Sequence, residues 1–348
     1  MGERVLSERV LNRALLARQS LLERSHLSIE DVVERVGGLQ TQYAPSAYVG
    51  LWTRVEGFER DSLTRALEER RLIQATLLRG TIHVVTRADY WRYVLGIRRA
   101  RRAWAARAQA LPPETELMAS AAALRAALAD GPRTVRELDG LAAGFIGNLG
   151  LWVDLARVPP SGTWEHRRAD RLALAEAWVG PEDATEAEGL AHVVRAYLGA
   201  FGPASWRDVA SWAGIPVADA VRGGEMVALV RYRDEAGHEL VDLEGAAIPD
   251  ADTPAPIRFL PHWDNNLLVH ARRTGLLPEP YRPLVFSTKN PFSVGTYLVD
   301  GHVAGAWSVK DGRVVLDPYE ALSPAVDGEV EREREALEAF HAGAHPPG

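Results

Sequence analysis

The order of hydrophobic and polar positions predicts several short helices at the start of the chain. Leu11, Leu15 and Leu16 fall on one helix face. Ser28 precedes an acidic first turn, so it is predicted to cap a second helix that ends near Gly37. Two further helical patterns follow, at residues 46–54 and 61–70.

Two segments rich in β-branched residues come next. Residues 73–77 and 80–86 alternate in the manner of strands, and a turn at Arg79-Gly80 joins them. Short helices closed by a two-stranded hairpin are typical of a winged helix, which we therefore predict for residues 1–110.

The same succession of helices and a hairpin recurs in the middle of the chain. Helices are predicted at residues 117–129 and 134–144, with Thr134 as a cap. A polar hairpin is predicted around Val158–Trp164, where two prolines and Gly162 form the turn.

A third unit repeats the pattern. A helix is predicted at residues 186–200, Ser205 caps another at 206–213, and a further helix begins at Val217. A hairpin closes the unit. Its strands cover residues 226–232 and 239–243. The three units form a weak internal repeat.

The last part of the chain, residues 257–317, is rich in strands. Asp300-Gly301 and Asp311-Gly312 stand at two-residue hairpin positions, and residues 329–341 form a charged helix. We therefore predict an α+β fold of tandem winged-helix units with a C-terminal β-rich region. The predicted domains are residues 1–110, 111–182, 183–250 and 251–348, with the best linker candidate at 245–256.

Composition excludes several classes of chemistry. The chain has no cysteine, which rules out disulfides, cysteine-ligated zinc, iron–sulfur clusters and a thiol nucleophile. No apolar run reaches membrane-spanning length, and the amphipathic start does not fit a signal peptide. We expect a cytoplasmic protein that does not associate with a membrane.

The charge is distributed unevenly. The net charge is −7, but residues 1–110 carry 19 arginines against 12 acidic side chains, an excess of seven positive charges. Such a basic face can bind phosphate although the rest of the chain is acidic. Lys289 and Lys310 are the only lysines. Arginine suits phosphate and guanine edges, although a bias towards GC-rich codons explains its abundance equally well.

Two glutamines stand in the link between the second and third predicted helices. Gln40 and Gln42 lie between a glycine pair and Pro45-Ser46. In an extended link alternate side chains point to the same side, so both amides could face one cleft. Paired amides can hold a water or polarise a sugar oxygen. The alternative is that they only fasten the loop between the helices.

Five blocks of sequence stand in a characteristic order along the chain: Gly38–Ala47, Leu51–Arg54, Leu78–Val85, Arg258–Asn265 and Leu298–His302. In this order they resemble the winged-helix family of AlkZ-type DNA glycosylases. The catalytic signature of that family, Gln-x-Gln, falls on Gln40 and Gln42, whereas a related branch carries Gln-x-Asp. The resemblance implies tandem winged helices around DNA and hydrolysis of the N-glycosidic bond of N7-alkylated guanine, including some interstrand cross-links.

The chemistry of such a substrate agrees with neutral catalytic side chains. A purine alkylated on N7 is already a cation and leaves without further protonation. The enzyme then has to stabilise an oxocarbenium-like sugar and place one water. We expect Gln42 to position the water and Gln40 to contact the sugar or the water. No lysine lies near the motif, so no Schiff-base lyase step is expected.

Further residues are candidates for DNA contacts. His83, beside Arg79 on the predicted wing, could contact a phosphate or a base, or could be a buried strand histidine. The densest basic run could follow a phosphate backbone, or could be solvated or paired with acidic residues. Its members are Arg98, Arg99, Arg101 and Arg102.

The rest of the chain contributes four more candidates. His262 and Asp264 are predicted to open a helical stretch, where Asp264 either caps the helix or places a carboxylate near the sugar. Arg157 and His302 accompany hairpins that could enter a DNA groove or be ordinary surface turns.

The expected protein is a monomeric glycosylase acting on double-stranded DNA that contains alkylated purines, with no metal or nucleotide cofactor. The main alternative is a non-catalytic winged-helix transcriptional regulator, which should dimerise and show sequence preference. A third possibility is a protein that sequesters adducted DNA without turnover. The biological setting, housekeeping repair or antibiotic self-resistance, stays open.

Overall fold

A computed structural model describes residues 4–109, 111–138, 149–268, 275–286 and 293–343. The first part confirms the predicted helices and hairpin. Its helices are α1 (Glu8–Arg18), α2 (Ile29–Arg35), α3 (Pro45–Trp52) and α4 (Arg60–Glu68). Its strands are β1 (Val5–Leu6), β2 (Leu39–Gln40), β3 (Leu72–Thr76) and β4 (Ile82–Thr86). A 3₁₀ turn at Leu78–Gly80 joins β3 to β4.

The second part contains a long helix and three short strands. Helix α5 (Tyr90–Ala108) carries the basic run and is followed by α6 (Glu114–Leu128). The predicted helix at 134–144 begins as α7 (Val135–Leu138), and its remainder lies outside the described residues. The other elements are β5 (Arg133–Thr134), β6 (Leu155–Arg157), β7 (Arg171–Leu174) and α8 (Ala175–Trp178).

The hairpin predicted around Val158–Trp164 forms, because β6 and β7 on either side of that segment pair antiparallel. Its connection is a long irregular loop rather than a short turn. Two prolines enter it directly after Val158, and proline cannot donate to a strand ladder. The Ser161 hydroxyl organises the loop by accepting the backbone N–H groups of Asp170 and Arg171, at 2.7 and 3.0 Å.

The third part agrees with its prediction. Thr185 and Ser205 begin their helices with reciprocal capping boxes. The helices are α9 (Glu186–Phe201), α10 (Trp206–Ala213) and α11 (Val217–Gly224). The predicted hairpin forms from β8 (Leu229–Asp234) and β9 (Glu239–Leu243).

The C-terminal part is a four-stranded sheet closed by a helix, as predicted. Asp300, Gly301, Asp311 and Gly312 all have positive φ, which the two-residue turns predicted there require. The elements are β10 (Arg258–Leu260), α12 (Arg282–Val285), β11 (Gly295–Val299), β12 (His302–Lys310), β13 (Arg313–Pro318) and α13 (Pro324–Ala342).

The α+β class is confirmed, and its sheets cross the predicted domain boundaries. Six strands in the order β2-β4-β3-β6-β7-β5 join the first two predicted domains into one sheet. Strand β1 pairs in parallel with β8, which ties the chain start to the third predicted domain. The division into winged-helix units therefore stays a prediction.

Helices α5 and α9 approach each other closely at the centre of the molecule. A Cβ at Gly96 would lie 2.5 Å from the Gly189 carbonyl oxygen, so only glycine fits there. Fully buried Tyr93, Tyr197 and Trp212 fill the core around this crossing. None of the helices within the described ranges combines the length and apolar character that a membrane span needs.

Candidate active site and DNA interface

Gln40 lies on a short strand beside His83. After α2, Gly37 and Gly38 turn the chain with φ of +75° and +83°, and β2 then pairs antiparallel with β4. Gln40 is directly opposite His83 in this pairing, so the two side chains share a face of the sheet. Gln40 is 7% exposed. Its Oε1 accepts a hydrogen bond from Arg79 Nη2 at 3.0 Å, which fixes the amide with Nε2 as its donor end.

Gln42 is anchored to the same connection but is exposed. The pairing continues through Thr41, whose N–H donates to the Ile82 carbonyl at 2.8 Å. The Gln42 side chain then accepts the Ile82 N–H through Oε1 at 3.2 Å, in place of a backbone carbonyl. Both amides are thus held by the turn and strand that follow β3, with Gln40 buried and Gln42 open to solvent.

His83 is a fully buried strand histidine. Its Nδ1 lies 3.0 Å from the Thr81 carbonyl oxygen, so Nδ1 is the donor. Burial, aided by the Arg79 and Arg101 charges, lowers the pKa of His83 to about 3. The imidazole is therefore neutral at pH 7. Its position favours the structural alternative over a direct DNA contact.

Three arginines near the glutamines form no ion pair with a carboxylate in the part of the chain that the structure describes. Arg79 donates to the Gln40 amide and the Trp212 carbonyl. Arg101 Nη1 donates to the Thr76 carbonyl at 3.0 Å, and Arg157 Nη2 to the Thr76 hydroxyl at 3.2 Å. Thr76 pairs with Ile82, the residue that holds Gln42. Among the described residues, no carboxylate forms an ion pair with these three guanidinium groups.

The pKa values of these three arginines are lower than usual. Burial lowers the pKa of Arg79 to about 10 and also lowers the pKa values of Arg101 and Arg157. By contrast, carboxylate partners raise the pKa of Arg99. Arg79 thus holds a buried positive charge against Gln40, and Arg101 and Arg157 hold two more at Thr76, where Asp154 and Asp170 act on them from a distance. A bound anion would stabilise these charges.

The other arginines of the basic run pair within the protein. Arg98 Nη2 forms ion pairs with Asp154 at 3.0 Å and Glu182 at 2.7 Å. Arg99 pairs with Glu186 and Asp219 at 2.9 and 2.6 Å. These contacts favour the alternative of paired charges over a continuous phosphate track.

Arg102 differs from these two, because its Nε donates to the Leu151 carbonyl at 2.7 Å and, among the described residues, no carboxylate forms an ion pair with it. The structure therefore separates Arg98 and Arg99, which are paired with carboxylates, from Arg101 and Arg102, which bond backbone carbonyls. Only the three-dimensional position of each guanidinium distinguishes them.

The predicted His302 hairpin lies against α1 and away from the glutamines. Arg9 Nη1 binds Asp300 at 2.7 Å, and Arg13 binds the same carboxylate. A Cβ at Gly301 would lie 2.6 Å from Asn12 Oδ1, so there is no room for a side chain between this position of the turn and the helix. The arrangement favours an ordinary packed turn over a hairpin that enters a groove.

Asp264 lies in a turn and not in an open cleft; residues 264–268 form no helix, and the rest of the helical stretch predicted there lies outside the described residues. The Asp264 Oδ1 accepts the Asn266 N–H at 3.0 Å and closes a local turn. Its Oδ2 binds Arg54 Nη2 at 2.8 Å in an ion pair whose side chains are 2% and 1% exposed. The adjoining Asn265 amide donates to the Gly38 carbonyl at 2.9 Å. This buried network supports the turn that leads into Gln40.

An aromatic cleft of about 460 Å³ opens beside the motif. It is lined by Tyr43, which directly follows Gln42, and by His262, Trp307 and His341. Sequence reasoning identified His262 but missed the other three rings. The position of Tyr43 next to the motif was the available signal, whereas Trp307 and His341 arrive from distant elements. Arg167 at the rim donates to the Tyr43 hydroxyl at 2.9 Å.

Comparison with known proteins identifies the class. A family model described as DNA glycosylase AlkZ-like matches residues 33–340. The chain is 22% identical over 335 residues to an interstrand DNA cross-link repair glycosylase of Streptomyces sahachiroi, covering 87% of this chain and 88% of that protein. It also matches the structure of the Streptomyces sahachiroi DNA glycosylase AlkZ with a TM-score of 0.81 and 22% identity, covering 98% of both chains.

These findings assign the protein to the DNA glycosylases, hydrolases that act on N-glycosyl bonds. More particularly, the chain belongs to the AlkZ-like DNA glycosylase family. The assignment favours an enzyme over a non-catalytic regulator.

Proposed function

We propose that this glycosylase releases cationic N7-alkylated purines from double-stranded DNA, with water as the nucleophile. The observation that carries the proposal is the anchoring of both motif amides at one place, Gln40 by Arg79 and Gln42 by the Ile82 N–H. Gln42 is the exposed amide and positions the water. Gln40 is the buried amide and holds the sugar or the water through its Nε2 donor.

Neutral side chains suffice for catalysis because the positive charge of the alkylated purine already makes it a good leaving group. An alkylated purine departs as an uncharged base without an added proton, and water adds to the oxocarbenium-like sugar as a proton passes to solvent. The products are the free base and an abasic site. The amide dipoles stabilise this process without repelling a cationic purine, as a protonated histidine would. The neutral state of His83 agrees with this requirement.

DNA phosphates are the anions that Arg79, Arg101 and Arg157 would bind, since none of the three is ion-paired with a described carboxylate. Arg79 contacts Gln40 of the motif, and Arg101 and Arg157 contact Thr76, which pairs with Ile82. Phosphate is suited to the forked donors of arginine. We assign these three residues to the DNA backbone beside the lesion, and we assign Arg98 and Arg99 to internal ion pairs.

The relative named for interstrand cross-link repair supports the extension to cross-linked purines. A purine joined through N7 to the other strand carries the same positive charge as a monoadduct, so its N-glycosidic bond is weakened in the same way. We propose that the protein acts on both as a monomer.

The test is release of free base from defined duplexes. A duplex with one 7-methylguanine and a duplex with one N7-linked interstrand cross-link are incubated with the protein. Free base from the first is quantified by mass spectrometry, and separation of the two strands of the second is followed on a denaturing gel. Alkali then cleaves the abasic site for a gel readout. We expect free 7-methylguanine from the first duplex and, from the second, separated strands with the purine still attached to the strand opposite the abasic site. Binding to the lesion with no released base would overturn the proposal in favour of sequestration.

A further inference from the structure

The aromatic cleft beside Gln42 adjoins the candidate catalytic site. Ser46 and Pro261 line this cleft and also line the small cavity that contacts Gln40. Tyr43 follows Gln42 directly in the chain and forms one wall. A group in the cleft would therefore contact Tyr43, the chain neighbour of Gln42, and two residues that also line the cavity at Gln40.

The walls of the cleft are aromatic rings set at steep angles. The His262 ring packs edge-on against Tyr43 at 5.8 Å and against Trp307 at 5.7 Å between centroids. Trp307 in turn meets His341 at 5.9 Å. The volume, about 460 Å³, lies within the range of roughly 300–1,000 Å³ that is usual for small-ligand sites.

The polar groups of the cleft are suited to a nucleotide. Neither ring nitrogen of His262 has a hydrogen-bond partner among the described residues, although the side chain is half-buried. Arg167 is exposed at the rim, with its guanidinium 5.8 Å from the centre of the Tyr43 ring. An imidazole can bond the edge of a base, and an exposed guanidinium can bind its phosphate.

We propose that this cleft binds the alkylated purine nucleotide on which the enzyme acts, with the base against the aromatic rings that line the cleft and its phosphate on Arg167. The proposal rests on the proposed function. Aromatic faces attract a cationic base, and stacking of this kind is worth about 1–3 kcal/mol per base, or roughly 5- to 150-fold in affinity. Burial lowers the pKa of His262, and it lowers that of His341 to about 4, so neither ring adds a repelling charge at pH 7.

Binding is tested without turnover. The protein is labelled at histidine, and 7-methylguanosine 5′-monophosphate is added while the imidazole signals are followed by NMR. Guanosine 5′-monophosphate and ribose 5-phosphate are the comparison probes. We expect the His262 and His341 signals to shift with the methylated nucleotide, less with the unmethylated one and least with the sugar phosphate.

Variants locate the site. His262→Ala and Arg167→Ala should each weaken binding of the methylated nucleotide roughly tenfold, whereas His26→Ala, at an exposed position on the α1–α2 connection, should not. Circular dichroism shows that each variant is folded. Equal shifts with all three probes, or none up to the solubility limit, overturn the cleft as a base site.

Different results would contradict the proposed function and the proposed role of the cleft. If the wild-type protein binds the methylated nucleotide but releases no base from DNA, the proposed function is wrong and the cleft stands. If it releases base and His262→Ala binds the probe and releases base at wild-type levels, the cleft assignment is wrong and the function stands.

Discussion

Gln40 lies directly opposite His83 on two paired antiparallel strands, and the neutral His83 imidazole beside this candidate catalytic amide is fully buried. Arg79 binds Gln40 and also contributes to lowering the pKa of His83. The buried amide, the neutral histidine and the unpaired arginine therefore form one structural unit. Changes at any of these positions should affect the others.

Gln42→Ala should reduce release of 7-methylguanine at least tenfold, about 1.4 kcal/mol in activation free energy. The physical reason is loss of the amide that we assign to the attacking water. Because Gln42 is exposed, folding should be unaffected. Single-turnover release from a methylated duplex measures the effect, and Gln109→Ala is the control glutamine at the end of α5. Unchanged single-turnover release would remove Gln42 from the mechanism.

Arg157→Ala should weaken binding to duplex DNA and make the binding less sensitive to salt. Each phosphate contact contributes about −0.9 to the slope of log K against log salt concentration, so the slope should fall in magnitude by about one. Arg99→Ala removes a guanidinium already paired with Glu186 and Asp219 and should leave the slope unchanged. Fluorescence anisotropy over a range of salt concentrations measures both. Equal slopes for the two variants would contradict the assignment.

Asp264→Ala should destabilise the fold by about 3–5 kcal/mol, because it leaves the buried Arg54 charge unpaired. Urea denaturation measures the loss. The double variant Arg54→Met with Asp264→Leu removes both charges and should recover most of the stability. If the single variant is as stable as the wild type, Asp264 does not support the turn before Gln40 in the way we infer.

The free energy of unfolding should fall as the pH drops from about 6.5 towards 3, partly because of His83. Its pKa is about 3 in the folded protein and about 6.5 when unfolded, so the unfolded state binds the extra proton in this window. This site can contribute up to about 1.4 kcal/mol per pH unit.

Replacing His83 isolates that contribution. The free energy of unfolding measured between pH 7 and pH 4 should decline less steeply in His83→Gln than in the wild type. This comparison of slopes holds whatever the difference in stability between the two proteins at pH 7. His26→Gln, at an exposed position, should keep the wild-type slope. Parallel curves for His83→Gln and the wild type would show that His83 does not titrate in this way.

Local sequence determined many of the elements. The capping residues Ser28 and Ser205 begin their helices as predicted, and the Asp-Gly pairs at 300 and 311 form their turns. These outcomes depend on side chains that bond or shape the backbone within a few residues, so a short window contains the information. The motif at Gln40 and Gln42 was likewise visible as a pair of amides in a bounded link.

Tertiary structure decided which charged and aromatic residues share a surface. Arg99 and Arg101 are two positions apart, yet one is paired with Asp219 and the other with the Thr76 carbonyl. Asp264 meets Arg54 from 210 positions away. Such contacts depend on how helices and sheets pack, because burial sets both the partner and the cost of a charge. For the same reason the cleft between Tyr43 and Trp307 could not be inferred from spacing along the chain.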